Sequence, residues 1–179
     1  MECIKIDKQK IVILFFSAFI LCILLLLRTA KKTSHKIVNV VGEIFTDSII
    51  DNKDFKLCGE QDRIIQYYAF SEKTYQGEKT AIKAHFHENY VCSKNNLESG
   101  YIRVRFIVNC KGVSGRFRLL ESDLNYKPKI FSKKISNQLL KATESLKEWK
   151  SMTVKGIGRD YYQYLIFRIE KGQIIEILP

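Results

Sequence analysis

The alternation of apolar and polar residues is sharpest over Gly100–Ser122, GYIRVRFIVNCKGVSGRFRLLES. Ile102, Val104, Phe106 and Val108 fall on one phase; Tyr101, Arg103, Arg105 and Ile107 fall on the other. A period of two places each set on one face of a strand. Lys111-Gly112 predicts the turn, because glycine takes a positive φ at no steric cost. The second strand resumes the alternation, with Val113, Phe117 and Leu119 on one phase and Arg116, Arg118 and Ser122 on the other. Gly115 interrupts it and predicts a bulge or a close approach of backbone.

Helical periodicity flanks this hairpin. Upstream, Ile82, Phe86 and Tyr90 recur at a spacing of four within TYQGEKTAIKAHFHENY, with Ala81 and His85 beside them. That spacing predicts a helix over about Glu78–Glu88, with Glu78 favourable in its first turn. Downstream, Ile135, Leu139, Ala142, Leu146 and Trp149 form a one-sided apolar stripe, with lysines on the other faces and Ser132 placed to cap the helix. Asp160–Glu170, DYYQYLIFRIE, predicts a third strand. Tyr161, Leu165, Phe167 and Ile169 share one of its faces; Tyr162, Tyr164 and Ile166 share the other. Lys171-Gly172 predicts a turn into a short strand over Gln173–Leu178, and Gly156 and Gly158 predict a loop. Ile64–Phe70, IIQYYAF, has the β-branched and aromatic content of a strand, Ile37–Ile50 of further short strands, and Asp51–Lys56 of a turn. The soluble part is therefore expected to be α+β, an antiparallel sheet of three or four strands with two helices packed on one face. Its second face is left exposed, covered by the segment 37–70, or held for a partner.

The N-terminal region follows different rules. Ile11–Leu27, IVILFFSAFILCILLLL, has no polar face. About 17 residues at a rise of roughly 1.5 Å span roughly 25 Å as a helix, the lower limit for a bilayer core. Lys10 and Arg28 can snorkel to the interfaces. Arg28 sits where a signal peptidase site ending at Ala30 wants a small residue, so an uncleaved anchor is expected. The resulting division is a tail (1–10), a transmembrane anchor (11–30), a partly structured connector (31–73) and a folded domain (74–179).

Composition narrows the chemistry. The 179-residue chain has a formal net charge of +11, which suggests contact with something anionic. The lysines are spread along the chain, which argues against a nucleic-acid partner. Of five cysteines, none is spaced as CxxC. If the domain is exported, Cys58, Cys92 and Cys110 share an oxidising compartment and allow one disulfide, with its pairing open; free thiols are the alternative. His85 and His87 would point apart on a helix, so no metal site is expected. No phosphate loop and no paired carboxylates occur, so neither a cofactor nor catalysis is expected.

The whole order resembles the C-terminal domain family of TonB, the energy transducer of Gram-negative envelopes. The matching residues run from Gly100-Tyr-Ile-Arg-Val-Arg-Phe-Ile-Val through Lys111-Gly112-Val113, the helix ending at Trp149, and the Phe167 strand followed by Gly172-Gln-Ile-Ile. TYQGEKTAIKAHFHENY is similar to the family's aromatic-x-Gly-Gly segment and first helix, with Glu78 in place of the second glycine. The resemblance covers roughly Thr74–Pro179. Tyr90 is followed by Val91 where the family usually carries Tyr-Pro, and the family's proline-rich tether is absent, the chain having only two prolines. The resemblance implies a single-pass inner-membrane protein with its domain in the periplasm and motor proteins contacted through the transmembrane helix. It also implies an outer-membrane receptor segment bound by strand addition. The pairing strand would be Tyr161–Glu170, with Tyr162, Tyr164 and Arg168 as partner-binding candidates. Two alternatives stay open: a scaffolding protein of the envelope that uses the same fold, and an anchored basic module that binds an anionic polymer.

Overall fold

The computed structural model describes residues 42–92 and 96–178. The expected span Ile11–Leu27 and the segment 37–41 lie outside the described residues, among which no helix is long and apolar enough to cross a membrane. From Gly42 onward the chain is a mixed α+β unit. In chain order its elements are β1 (Ile65–Gln66), α1 (Glu78–Asn89), β2 (Gly100–Val108), β3 (Ser114–Ser122), α2 (Lys133–Glu144), β4 (Met152–Val154), β5 (Ile157–Arg159), β6 (Tyr161–Glu170) and β7 (Gln173–Leu178).

The main sheet has five strands and is mixed, not wholly antiparallel. β2 pairs antiparallel with β3 on one side and β6 on the other. β7 folds back on the far side of β6, and β1 runs parallel to the start of β6 on that same side. The extra parallel strand is what remains of the strand expected over Ile64–Phe70. Only Ile65–Gln66 pairs; Tyr67–Ala69 turns into a 3-10 helix that aims Tyr67 and Phe70 back onto β6.

Local chemistry explains the turns. Asn109 Oδ1 accepts the amides of Lys111 and Val113, both at 3.0 Å, and so closes the β2–β3 turn. Gly112 has φ 78°, and a Cβ there would overlap the carbonyl of Trp149. In β3, Arg116 takes φ 56° and the register against β2 shifts, so Arg116 and Phe117 together oppose Phe106. The bulge expected at Gly115 thus falls on the two residues after it, and Gly115 itself pairs with Ile107; the close approach there is of a side chain to its backbone, since a Cβ on Gly115 would overlap the Phe55 ring. The loop expected around Gly156 and Gly158 is instead the β4–β5 hairpin. Its central Lys155 and Gly156 both have positive φ, the pair of conformations that matches a hairpin's twist.

Both helices cover one face of the sheet, as their apolar stripes require. Ile82 and Phe86 of α1 and Ile135, Leu139 and Ala142 of α2 are buried against Ile102, Val104, Phe106, Leu165 and Phe167. α2 ends at Glu144, yet Leu146 and Trp149 continue its stripe into the core beyond the helix. The chain there is extended and Trp149 bridges to Tyr75, their rings 4.7 Å apart. Ser132 stands at the N-cap of α2, but its side chain makes no capping bond; its amide donates to Glu98 instead, at 2.8 Å.

The second face is half covered. Ile44, Phe55 and Ile64 of the segment 42–66 form a smaller buried cluster with Ile107 and Tyr162. No strand forms within 42–64. Side chains of the sheet hold its carbonyls and carboxylates instead. Arg118 donates to both oxygens of Asp51, at 2.6 and 2.9 Å, and to Phe45 O at 2.7 Å. Arg105 donates to Gly42 O, Arg116 to Gln61 Oε1 at 2.6 Å, and Asn109 Nδ2 to Lys56 O at 2.9 Å.

Candidate functional site

The edges of the sheet decide where an extended partner can pair. β6, the expected pairing strand, is engaged at both ends of its outer side. β1 takes Tyr161–Tyr162 and β7 takes Ile166–Glu170, so only Gln163, Tyr164 and Leu165 lie between its two partners. Among the described residues no strand pairs with the outer side of β7. Beside β7 runs a groove of about 380 Å³, with Phe86, Tyr90 and Ile177 among its apolar walls and Lys83 and His87 at its rim. Ile175 is 45 % exposed there. Burial pushes the Tyr90 hydroxyl up to about 12, and it donates to Gly172 O at 2.6 Å, which fixes the end of α1 against the β6–β7 turn.

The three residues singled out from the sequence fare differently. Tyr162 is not on an open face: it is 2 % exposed, lies beneath Ile44, Phe55 and Ile64, and accepts a hydrogen bond from Gln61 at 3.0 Å. The covering segment, irregular and so not predictable from periodicity, accounts for this. Tyr164 is half-buried, its ring edge-on to Tyr67 at 5.2 Å and its hydroxyl 3.4 Å from that of Tyr67. Burial, reinforced by the Tyr164 hydroxyl, pushes Tyr67 up to about 12. Arg168 is half-buried and forms an ion pair with Glu170 at 3.2 Å. The three occupy the second face of β6 in sequence, but only Tyr164 and Arg168 border its uncovered half.

The cysteine pairing left open by spacing is Cys58–Cys110. It ties the covering segment to the β2–β3 turn. Asp160, 4 % exposed, organises the junction: Oδ2 accepts the amides of Cys58 and Gly59 at 2.8 and 3.0 Å, and Oδ1 that of Cys110 at 2.9 Å. The two sulfurs and this carboxylate come within 4.8 Å of one another, but sulfurs joined to each other offer no thiolate to a metal. Asp160 was not a candidate from the sequence; the available signal was an acid placed directly before the strongest strand. Cys92 is outside this disulfide. His85 and His87 diverge on α1. His85 Nε2 lies 2.9 Å from Ala142 O and 3.1 Å from Ser145 Oγ at the end of α2, whereas His87 is exposed beside the β7 groove.

No family model, no curated protein and no solved structure matches the chain. What it does has to be argued from these edges and faces.

Proposed function

We propose that this chain is a membrane-anchored, TonB-like interaction protein. In this proposal its domain lies in the periplasm and acts by binding, not by catalysis. It takes an extended segment of an envelope partner as an added strand, and through its transmembrane helix and a motor complex passes force to an outer-membrane receptor. The observation that carries the reading is the outer side of β7, an edge strand beside an apolar groove, in a main sheet whose elements from α1 onward run helix–strand–strand–helix–strand–strand once the separate β4–β5 hairpin is set aside. Such an edge supplies main-chain hydrogen bonds for affinity, and the groove takes alternate side chains for specificity. With β7 and β1 already on β6, addition to β6 itself requires β7 to leave; addition to β7 does not. The Cys58–Cys110 disulfide supports an oxidising compartment.

A scaffolding role is favoured by one observation. Residues 42–66 are folded onto the sheet, which leaves 13 residues between Arg28 and Gly42, a reach of at most roughly 50 Å. One experiment separates the two. A photo-crosslinking residue replaces Ile175 in the full-length chain in cells, with a control at Lys155 on the β4–β5 turn. Strand addition predicts a discrete crosslinked partner from Ile175 and none from Lys155. Equal crosslinking from both positions would remove the edge from consideration. Transduction further predicts that collapsing the ion gradient across the inner membrane changes the Ile175 crosslink; a scaffold predicts no change.

A further inference from the structure

The uncovered half of the sheet's second face carries a surface of defined chemistry. Cross-strand register lays it out in rows. Leu120, Arg103, Ile166 and Leu178 lie side by side across β3, β2, β6 and β7. The next row towards the end of the domain holds Ser122, Tyr101, Arg168 and Glu176. Tyr126 stacks on Tyr101 with ring centroids 5.0 Å apart and planes at 5°, and is itself 71 % exposed. Tyr101, Arg103, Leu120, Tyr126, Ile166 and Leu178, with Glu121 and Ser122 at its β3 side, enclose an open groove of about 440 Å³. Its centre is one exposed guanidinium, Arg103, between two aliphatic side chains and beside an aromatic wall.

The covered half of the same face shows what such a surface accepts. In the adjoining row Arg105 lies between Arg118 and Tyr164. There the chain's own segment supplies a carboxylate, Asp51, to Arg118, carbonyls to Arg105 and Arg118, and apolar side chains to Ile107 and Tyr162. Arg103 stands two residues along β2 from Arg105 and takes no part in any ion pair among the described residues. The pKa of Arg105 is lowered by burial and then by the like charge of Arg103, so the two guanidiniums act on each other along β2; the acids nearest the groove are Glu176 in the next row, Glu170, which pairs with Arg168, and Glu121, which is held by Ser136 and the Phe131 amide. Arg168 Nε, on the same face, is buried with no hydrogen-bond partner among the described residues. The eleven residues ahead of Gly42, KKTSHKIVNVV, contain no Asp or Glu.

We propose that this half-face is a second docking site, and that it takes an extended acidic–aliphatic segment of a partner protein. A carboxylate of the segment pairs with Arg103, its flanking aliphatic side chains pack on Leu120, Ile166 and Leu178, and Tyr101 with Tyr126 forms the wall. The surface continues the interface already made by residues 42–66 and repeats its chemistry. Arginine suits this role because its planar fork matches a carboxylate in two bonds. The site stands on the face of the sheet, so it does not depend on strand addition at β7.

The test is a specificity selection. The full-length chain in lipid nanodiscs is panned against a displayed library of short random peptides, in parallel with Arg103→Glu and Arg103→Lys. The expected result for the unaltered chain is enrichment of Asp or Glu flanked by Val, Leu or Ile. Arg103→Lys retains the acidic preference, whereas Arg103→Glu loses it and shifts towards Lys and Arg. A selected acidic peptide binds Arg103→Gln about ten-fold more weakly or worse. Arg103 is exposed, so these variants fold, which the buried Trp149 emission checks. The proposal is overturned if no acidic enrichment appears, or if Arg103→Glu selects the same peptides. It is also overturned if bound peptide protects the amides of Gln173–Leu178 and leaves Tyr101–Arg105 unchanged. A dimer of the unaltered chain that Arg103→Glu dissociates would assign the face to a second copy and overturn it as well. The Ile175 crosslink is expected to persist in Arg103→Glu, so failure here and failure of strand addition read out separately.

Discussion

Asp51 illustrates how single side chains hold an irregular segment. Its carboxylate is nearly enclosed, with 6 % of the side chain exposed, and meets the Arg118 fork through two hydrogen bonds. The Arg118 hydrogen bond lowers the Asp51 pKa most, against the opposing effect of burial, and the net shift is downward. A carboxylate depressed in the folded state contributes stability that is fully present above its unfolded pKa near 4 and is lost as pH falls through the lower folded value. Asp51→Asn is therefore expected to cost about 1.5–3 kcal/mol at neutral pH, the range for hydrogen bonds to a charged group. The gap between the two proteins should narrow below about pH 4. Urea unfolding followed by the emission of Trp149, the only tryptophan, measures both. A gap that stays constant down to pH 2 would remove the ion pair as its origin.

At the scale of elements, the contact between β3 and the covering segment rests on the absence of a side chain at Gly115. Phe55 occupies the space its Cβ would need, and Gly115 pairs with Ile107, whose side chain lies in the same cluster. Gly115→Ala should destabilise by about 1–3 kcal/mol, the usual cost of overpacking. Phe55→Ala should cost about 3–5 kcal/mol through the cavity it leaves. Because the two changes compete for one space, the double variant should be more stable than the sum predicts, which a double-mutant cycle detects. Strict additivity would mean that Phe55 moves aside without consequence. β2, β3 and β6 were legible in the sequence because each has one face in the core, and half-burial writes itself as alternation. α1 and α2 were legible for the same reason at their own period. The covering segment was not. It has no periodicity because it has no ladder; three scattered apolar side chains and single polar side chains from Arg105, Asn109, Arg116 and Arg118 hold it. The burial of Tyr162 was hidden with it. So was the cysteine pairing, since Cys58 and Cys110 lie 52 residues apart and meet at a junction where Asp160 accepts the amides of both turns. The row centred on Arg103 needed the cross-strand register, and β2 read alone shows only an alternating arginine.

For the whole molecule, the disulfide decides how tension entering from the N-terminal side would be carried. The chain reaches the described unit at Gly42 and is covalently joined to the β2–β3 turn at Cys58. Tension at Gly42 first opposes the Arg105 and Arg118 contacts and the burial of Ile44 and Phe55. Peeling that stretch releases at most roughly 55 Å, the extended length from residue 42 to 58. The disulfide then passes the load to Cys110 at the end of β2, the strand paired with both β3 and β6, so β1 and residues 59–74 are bypassed. From β2 the load reaches β6 and then β7 through antiparallel ladders. Reduction removes the shortcut. Force then runs through the two-residue β1 pairing, and the 52-residue separation between the cysteines becomes extensible. Single-molecule pulling between handles at Gly42 and Leu178 tests this directly. The reduced protein should extend further than the oxidised one by roughly 170–190 Å in contour length, 52 residues at 3.3–3.6 Å each. The oxidised protein should show an early step no longer than the peeled stretch before the sheet yields. Equal total extension with and without reductant would show that Cys58 and Cys110 are not joined in the folded protein. An oxidised trace in which the sheet yields before residues 42–57 detach would show instead that the arginine contacts are the stronger attachment.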